Sequence, residues 1–181
     1  MNVIATELPG ILILEPRVLE DERGFFLESF NAETFAHATG VQATFVQDNH
    51  SRSKKGVLRG LHYQLETPQG KLVRVISGQV LDVTVDLRRS SPHFGQWLAV
   101  HLRAEDHRQL WIPEGFAHGF VALSEAAEVL YKTTDYYDPH AERTIRWDDP
   151  DLAIDWQLNG APLLSAKDQC AALFKDADVF A

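Results

Sequence analysis

Between Lys71 and Leu87 two runs rich in β-branched residues are separated by Ser77-Gly78-Gln79, and beyond that break Leu81, Val83, Val85 and Leu87 alternate with Asp82, Thr84 and Asp86. Successive side chains of a strand point to opposite faces, so this alternation predicts a hairpin in a sheet with one buried and one solvated face. Further strands are expected at Gln96 to Leu102, Gln109 to Ile112, Gly119 to Leu123, Glu128 to Thr133 and Thr144 to Trp147. Helix signals sit at the margins. Asn31 opens a short segment through His37 that Gly40 stops, and Ser165-Ala166-Lys167-Asp168 reads as a capping box opening a C-terminal helix. Many short strands with few helices make an all-β sandwich or barrel. The length of 181 residues suits one filled core and not two, so residues 1 to 181 are expected to form a single domain.

Charge narrows the partners. Seventeen Lys plus Arg stand against 26 Asp plus Glu, a net charge of -9, and such a surface repels nucleic-acid backbones and anionic lipid. Cys170 is alone, which excludes an intramolecular disulfide and a multi-Cys zinc site and suits a reducing cytoplasm. Met1 to Leu14 carries Glu7 and no Lys or Arg, unlike a signal peptide. Its apolar run Ile11 to Leu14 is far short of the ~20 residues of a membrane-crossing helix, so neither a membrane nor a nucleic-acid partner is expected.

Several residues carry possible chemistry. Pro113-Glu114-Gly115-Phe116-Ala117-His118 fits the PxGxxH signature of the second half of the cupin β-barrel, a resemblance that implies a cupin-type jelly roll. The first half of a cupin normally supplies a His-x-His pair and a Glu. Gly56 to Gly78 offers instead His62-Tyr63-Gln64, Glu66 and Lys71, and an ammonium beside a metal site opposes the metal. His62, Lys71 and Tyr131 together suit proton transfer next to a carbonyl: an imidazole that titrates near neutrality, a cation for an oxyanion, and a phenolic proton. Each also has a plainer reading. His62 or His118 is a surface or turn histidine, Lys71 an edge-strand gatekeeper, Tyr131 a core aromatic and Asp168 only the capping acid. Arg52, Lys54, Lys55 and Arg59 cluster without an acid among them. The two lysines read as a solvated loop, whereas Arg59, directly before Gly60-Leu61-His62, is placed to hold a phosphate.

Four longer strings go further: Gly56 to Gln64 with Pro68 to Arg74, Gln109 to Phe120, Tyr131 to Tyr137, and Ile145 to Pro150. In this order, from about Arg23 to Asp168, the chain closely resembles the dTDP-4-dehydrorhamnose 3,5-epimerase family. The resemblance implies a metal-free, cofactor-free cupin-type homodimer that converts dTDP-4-dehydro-6-deoxy-D-glucose into dTDP-4-dehydro-L-rhamnose. It implies His62 as general base paired with Asp168, Tyr131 as the acid on the opposite face, and Lys71 as enolate stabiliser. Arg23, Glu28, Gln47, Asn49, Arg59, His118, Glu142 and Lys167 fall at substrate-contact positions, and Tyr137 at the one that stacks on the base. Ala166 stands where the family often has Glu. The alternatives are a mono-epimerase or ketoisomerase on a related keto-sugar, a metal-dependent cupin using His62 and His118, and a non-catalytic sugar-nucleotide binding module. In the expected dimer the N-terminal segment, with Arg23 and Glu28, completes a neighbour's nucleotide site.

Overall fold

The computed structural model describes residues 1–181. In chain order the elements are β1 (Asn2–Ala5), β2 (Leu12–Glu15), β3 (Val18–Asp21), β4 (Gly24–Leu27), α1 (Ala32–Thr39), β5 (Gln47–Lys54), β6 (Leu58–Gln64), β7 (Lys71–Ser77), β8 (Gln79–Asp86), β9 (Trp97–Arg103), β10 (Gln109–Ile112), β11 (Phe116–Ala122), β12 (Ala126–Thr133), β13 (Glu142–Thr144) and α2 (Ala166–Gln169). The strands form a six-stranded sheet in the order β1-β2-β10-β7-β12-β5 and a five-stranded sheet in the order β13-β6-β11-β8-β9, while β3 and β4 pair as a separate ribbon. All these pairings are antiparallel. This double sheet is the cupin-type jelly roll expected from the sequence.

Three apolar layers hold it together. Between the sheets, Val73, Val75, Leu110 and Val129 of the larger sheet meet Val80, Leu102, Phe116 and Phe120 of the smaller one. The outer face of the smaller sheet, with Leu61, Leu81, Val83, Val85 and Val121, is covered by Leu152, Trp156 and Ala177 of the C-terminal segment. Leu72 and Trp111 on the outer face of the larger sheet are covered by Phe35 of α1, against which Phe45 packs edge-on and Phe30 tilted. The helix is bounded as the sequence requires, Asn31 accepting from the Thr34 amide at its start and left-handed Gly40 closing its end.

The structure corrects the hairpin. The strands on either side of Gly78 do not pair with each other: β7 lies in the six-stranded sheet and β8 in the five-stranded one, so the turn is a corner between sheets. Nor does β8 have a solvated face. Leu81, Val83 and Val85 pack beneath the C-terminal segment, and Asp82, Thr84 and Asp86 are equally buried on the side facing the other sheet. Period-2 alternation reports two different environments, and here the polar one is interior. The Thr144–Trp147 strand is likewise displaced to Glu142–Thr144, followed by a single bridge at Ile145. Strand β11 starts earlier than expected, at Phe116, and ends at Ala122. The C-terminal helix is one turn long, capped by the Ser165 hydroxyl.

Candidate active site

A cavity of about 270 Å³ opens between the two sheets. The six-stranded sheet contributes Gln47, Asn49 and Ser51 from β5, Lys71 from β7 and Tyr131 from β12, and the five-stranded sheet contributes Arg59 and His62 from β6, His118 from β11 and Glu142 from β13. Lys167 of α2 and Tyr137 of the β12–β13 connection complete the rim.

Strand β6 reaches this arrangement through a local irregularity. Arg59 and His62 are three residues apart, a spacing that places them on opposite faces of a regular strand. On β11, however, their partners Phe120 and His118 are only two apart, so β6 carries one extra residue here. That bulge turns both side chains toward the cavity. Gly60 sits in it with φ +120°, and a Cβ there would lie 2.6 Å from the Gly119 Cα and 2.8 Å from the His118 carbonyl oxygen. Only glycine fits this crossing.

His62 and Asp168 meet across 106 positions of sequence, the His62 Nε2 lying 2.6 Å from Asp168 Oδ1. Asp168 is buried, and its second oxygen accepts from the Ser165 hydroxyl at 2.7 Å. The capping acid and the partner of the imidazole are therefore one residue serving both ends. Burial pushes His62 below its ordinary value and outweighs the hydrogen bond and charge of Asp168, which pull the other way. Burial also opposes ionisation of Asp168, but the bonds from His62 and Ser165 hold it below the usual carboxylate range. A neutral imidazole with its ring fixed by a carboxylate is suited to accept a proton.

Lys71 is not an edge gatekeeper, because β7 is flanked by β10 and β12 and the side chain is only 7% exposed. Its Nζ donates to the His62 carbonyl at 3.3 Å, and burial pulls it down to about 8 against the fields of Asp82 and Glu142. Tyr131 faces the same space from the same sheet as Lys71 and the opposite sheet to His62, its phenol pushed up by burial and so kept protonated. Arg59 Nε donates to the buried Ser53 hydroxyl at 3.0 Å, which anchors the guanidinium at the rim. Arg52, Lys54 and Lys55 point outward and are exposed, as expected for solvated cations.

The remaining candidates divide into two groups. Gln47 bonds to Asn49 at 3.0 Å and accepts from the Tyr137 amide, while Tyr137 and Lys167 both donate to Glu142, at 3.0 and 2.7 Å. These bonds draw the rim residues into one network. Burial opposes the charge on Glu142, but the bond and charge of Lys167 hold it below the usual range. Arg23 and Glu28 lie outside the cavity: Arg23 is tied to Asp21 on the β3–β4 ribbon, and Glu28 accepts from Asn31 near the start of α1.

Sequence reasoning missed Ser51 and Asp82. Ser51 continues the inward alternation begun by Gln47 and Asn49, a signal that was available, and its hydroxyl is buried without a partner. Asp82 is fully buried and accepts from His118 Nε2 through both oxygens, at 2.8 and 3.0 Å. No group of three His, Cys, Asp or Glu side chains converges at one point.

The sequence and fold match known proteins along nearly their whole length. The family model for dTDP-4-dehydrorhamnose 3,5-epimerase matches residues 5–176. The enzyme of that name from Pseudomonas aeruginosa is 59% identical over 180 residues, covering 99% of each chain. Its counterpart from Salmonella typhimurium is 60% identical over 178 residues, covering 98% of this chain and 97% of its own. The crystal structure of dTDP-6-deoxy-D-glucose-3,5-epimerase from Legionella pneumophila in complex with dTDP-4-keto-L-rhamnose superposes with a TM-score of 0.95 at 54% identity, covering 98% of this chain and 94% of that one. With its jelly roll, its inter-sheet cavity and this coverage, the chain belongs to the dTDP-4-dehydrorhamnose 3,5-epimerase family.

Proposed function

We propose that the chain, acting as one cupin-like domain, inverts C3 and C5 of dTDP-4-dehydro-6-deoxy-D-glucose to give dTDP-4-dehydro-L-rhamnose. The observation that carries this reading is the placement of an imidazole–carboxylate pair and a protonated phenol on opposite sheets of one cavity, with an ammonium beside them. A C4 ketone acidifies the hydrogens at C3 and C5. His62 takes the proton from one face, the C–H electron pair moves into the C4 carbonyl, and Lys71 stabilises the enolate oxygen. The enolate carbon then takes a proton from Tyr131 on the other face as the carbonyl re-forms. His62 has gained one proton and Tyr131 has lost one, so exchange with solvent resets the site for the second centre. A positioned general base contributes roughly 10²–10⁴-fold. Arg59 faces the diphosphate, Gln47, Asn49, His118, Glu142 and Lys167 contact the remainder, and Tyr137 stacks on the base.

The assembly proposed is a homodimer in the cytoplasm. Its support is the position of Arg23 and Glu28 away from their own chain's cavity, on a segment whose Phe25 and Phe26 are 59% and 70% exposed. A ribbon so apolar is suited to a second copy. No helix is long and apolar enough to cross a membrane.

The test of the reaction is incubation with the dTDP-keto-sugar in D₂O followed by NMR. Deuterium at both C3 and C5 with an L-configured product is expected. Deuterium at one centre alone makes the protein a mono-epimerase, and none at either contradicts the proposal.

A further inference from the structure

Strand β8 sends three polar side chains into the interior between the sheets, and their partners differ. Asp86 is consumed by Arg88 and Ser91, at 2.7 Å each, in a loop contact away from the cavity. The Thr84 hydroxyl is buried without a partner. Asp82, fully buried, has His118 as its one hydrogen-bonding partner. His118 is the direct cross-strand partner of His62, so the two imidazoles stand side by side on the same face of the five-stranded sheet. Each presents Nε2 to a buried carboxylate, His62 to Asp168 and His118 to Asp82. The cavity is therefore lined by two imidazoles, each backed by a buried carboxylate, and the reaction has used only one of these pairs.

We propose that Asp82 is a positioning residue for the enolate-binding end of the cavity: it fixes His118 with the proton on Nε2 and Nδ1 open to the sugar, and it supplies the buried negative charge that balances Lys71. This rests on the epimerase reading above. A carboxylate that accepts through both oxygens sets the tautomer of the imidazole and the plane of its ring. It also acts on the ammonium through the low-dielectric interior. The charged and titratable groups that share this space with Lys71 are Arg59, His62 and Tyr63 on β6, Asp82 on β8, His118 on β11, Tyr131 on β12, Tyr137 after it, Glu142 on β13 and Lys167 on α2. Glu142 is already engaged by Lys167 and Tyr137, and Asp168 by His62 and Ser165. Of the two carboxylates whose fields reach Lys71, Asp82 is the one that no Lys or Arg side chain contacts directly. Removing it leaves Lys71 buried with less to hold its proton, and leaves His118 free to turn.

The test is Asp82→Asn, which keeps size and loses charge. A fall in kcat of about 10- to 100-fold is expected, the range for losing a group that orients a working side chain. KM should change little. Deuterium exchange and inversion should fall together, and the alkaline limb of kcat should move to lower pH, because Lys71 then loses its proton more readily. A folded Asp82→Asn protein with unchanged kcat and an unshifted alkaline limb overturns the role. In the wild-type protein, long-range ¹⁵N–¹H NMR of His118 reads the tautomer directly: a proton on Nε2 is expected, and one on Nδ1 alone overturns the role even if the variant fails to fold. A wild type that neither exchanges nor inverts contradicts the functional reading instead, and the NMR arm still decides on Asp82.

Discussion

Residues at the site are matched by environment more than by type. Burial lowers both His62 and Lys71, and the effects differ in sign for function: a neutral imidazole is the active form of the base, whereas the protonated ammonium is the active form of the enolate stabiliser. Activity should therefore rise with pH through a value below the ordinary histidine range and fall through about 8 as Lys71 loses its proton. Lys71→Arg, if it still turns over, should lose the alkaline limb, because a guanidinium does not titrate there. A kcat/KM profile for the wild type that stays flat to pH 10 would remove Lys71 from its place in the reaction. The sequence made His62, Lys71 and Tyr131 legible because each lies within a long matching string. The pairing of His62 with Asp168 came only through the family resemblance, since residues 106 positions apart reveal no contact by spacing. Asp82 was legible only as a polar residue on an alternating strand, and alternation does not say whether the polar side meets water or a cavity.

At the scale of elements, the least predictable feature is the bulge in β6. Regular alternation places Arg59 and His62 on opposite faces, and only the extra residue opposite Gly119 brings them together. Gly60→Ala should destabilise the protein by about 1–3 kcal/mol for the left-handed backbone alone, with overpacking against Gly119 adding a cost of similar size. Denaturant titration measures this, and a loss below about 0.5 kcal/mol contradicts the close crossing. Activity should fall further than stability, since the displaced segment carries both the proposed base and the proposed phosphate contact. Strand type and approximate extent were readable for β9, β10 and β12. The hairpin through Gly78 was misread because the two runs flanking a tight turn usually pair, and here the turn serves to change sheets. For α2 the sequence signal located the start, where Ser165 caps the helix as expected, but carried no end point, and the helix stops after one turn.

At the scale of the whole molecule, net charge and local field point in opposite directions. A chain of -9 presents to its cavity Arg59, Lys71 and Lys167, of which only Lys167 is ion-paired at the site, so an anionic sugar nucleotide is drawn to one place on an otherwise repelling surface. The dimer should be visible by light scattering, and Phe26→Asp, on the exposed strand β4 of the β3–β4 ribbon, should weaken it and lower activity with it. A fully active monomer at assay concentration would contradict the shared site. In the mechanism proposed, the double sheet also supplies the stereochemistry, because His62 belongs to one sheet and Tyr131 to the other, and a sugar held between them has one group on each face. The most direct measurement is Tyr131→Phe in D₂O, with deuterium incorporation and product configuration read by NMR in the same sample. With the base and enolate stabiliser intact, deuterium should still enter the sugar, returned by His62 on the original face, while inversion falls sharply. Equal loss of exchange and inversion in a variant of unchanged melting temperature contradicts the two-face mechanism.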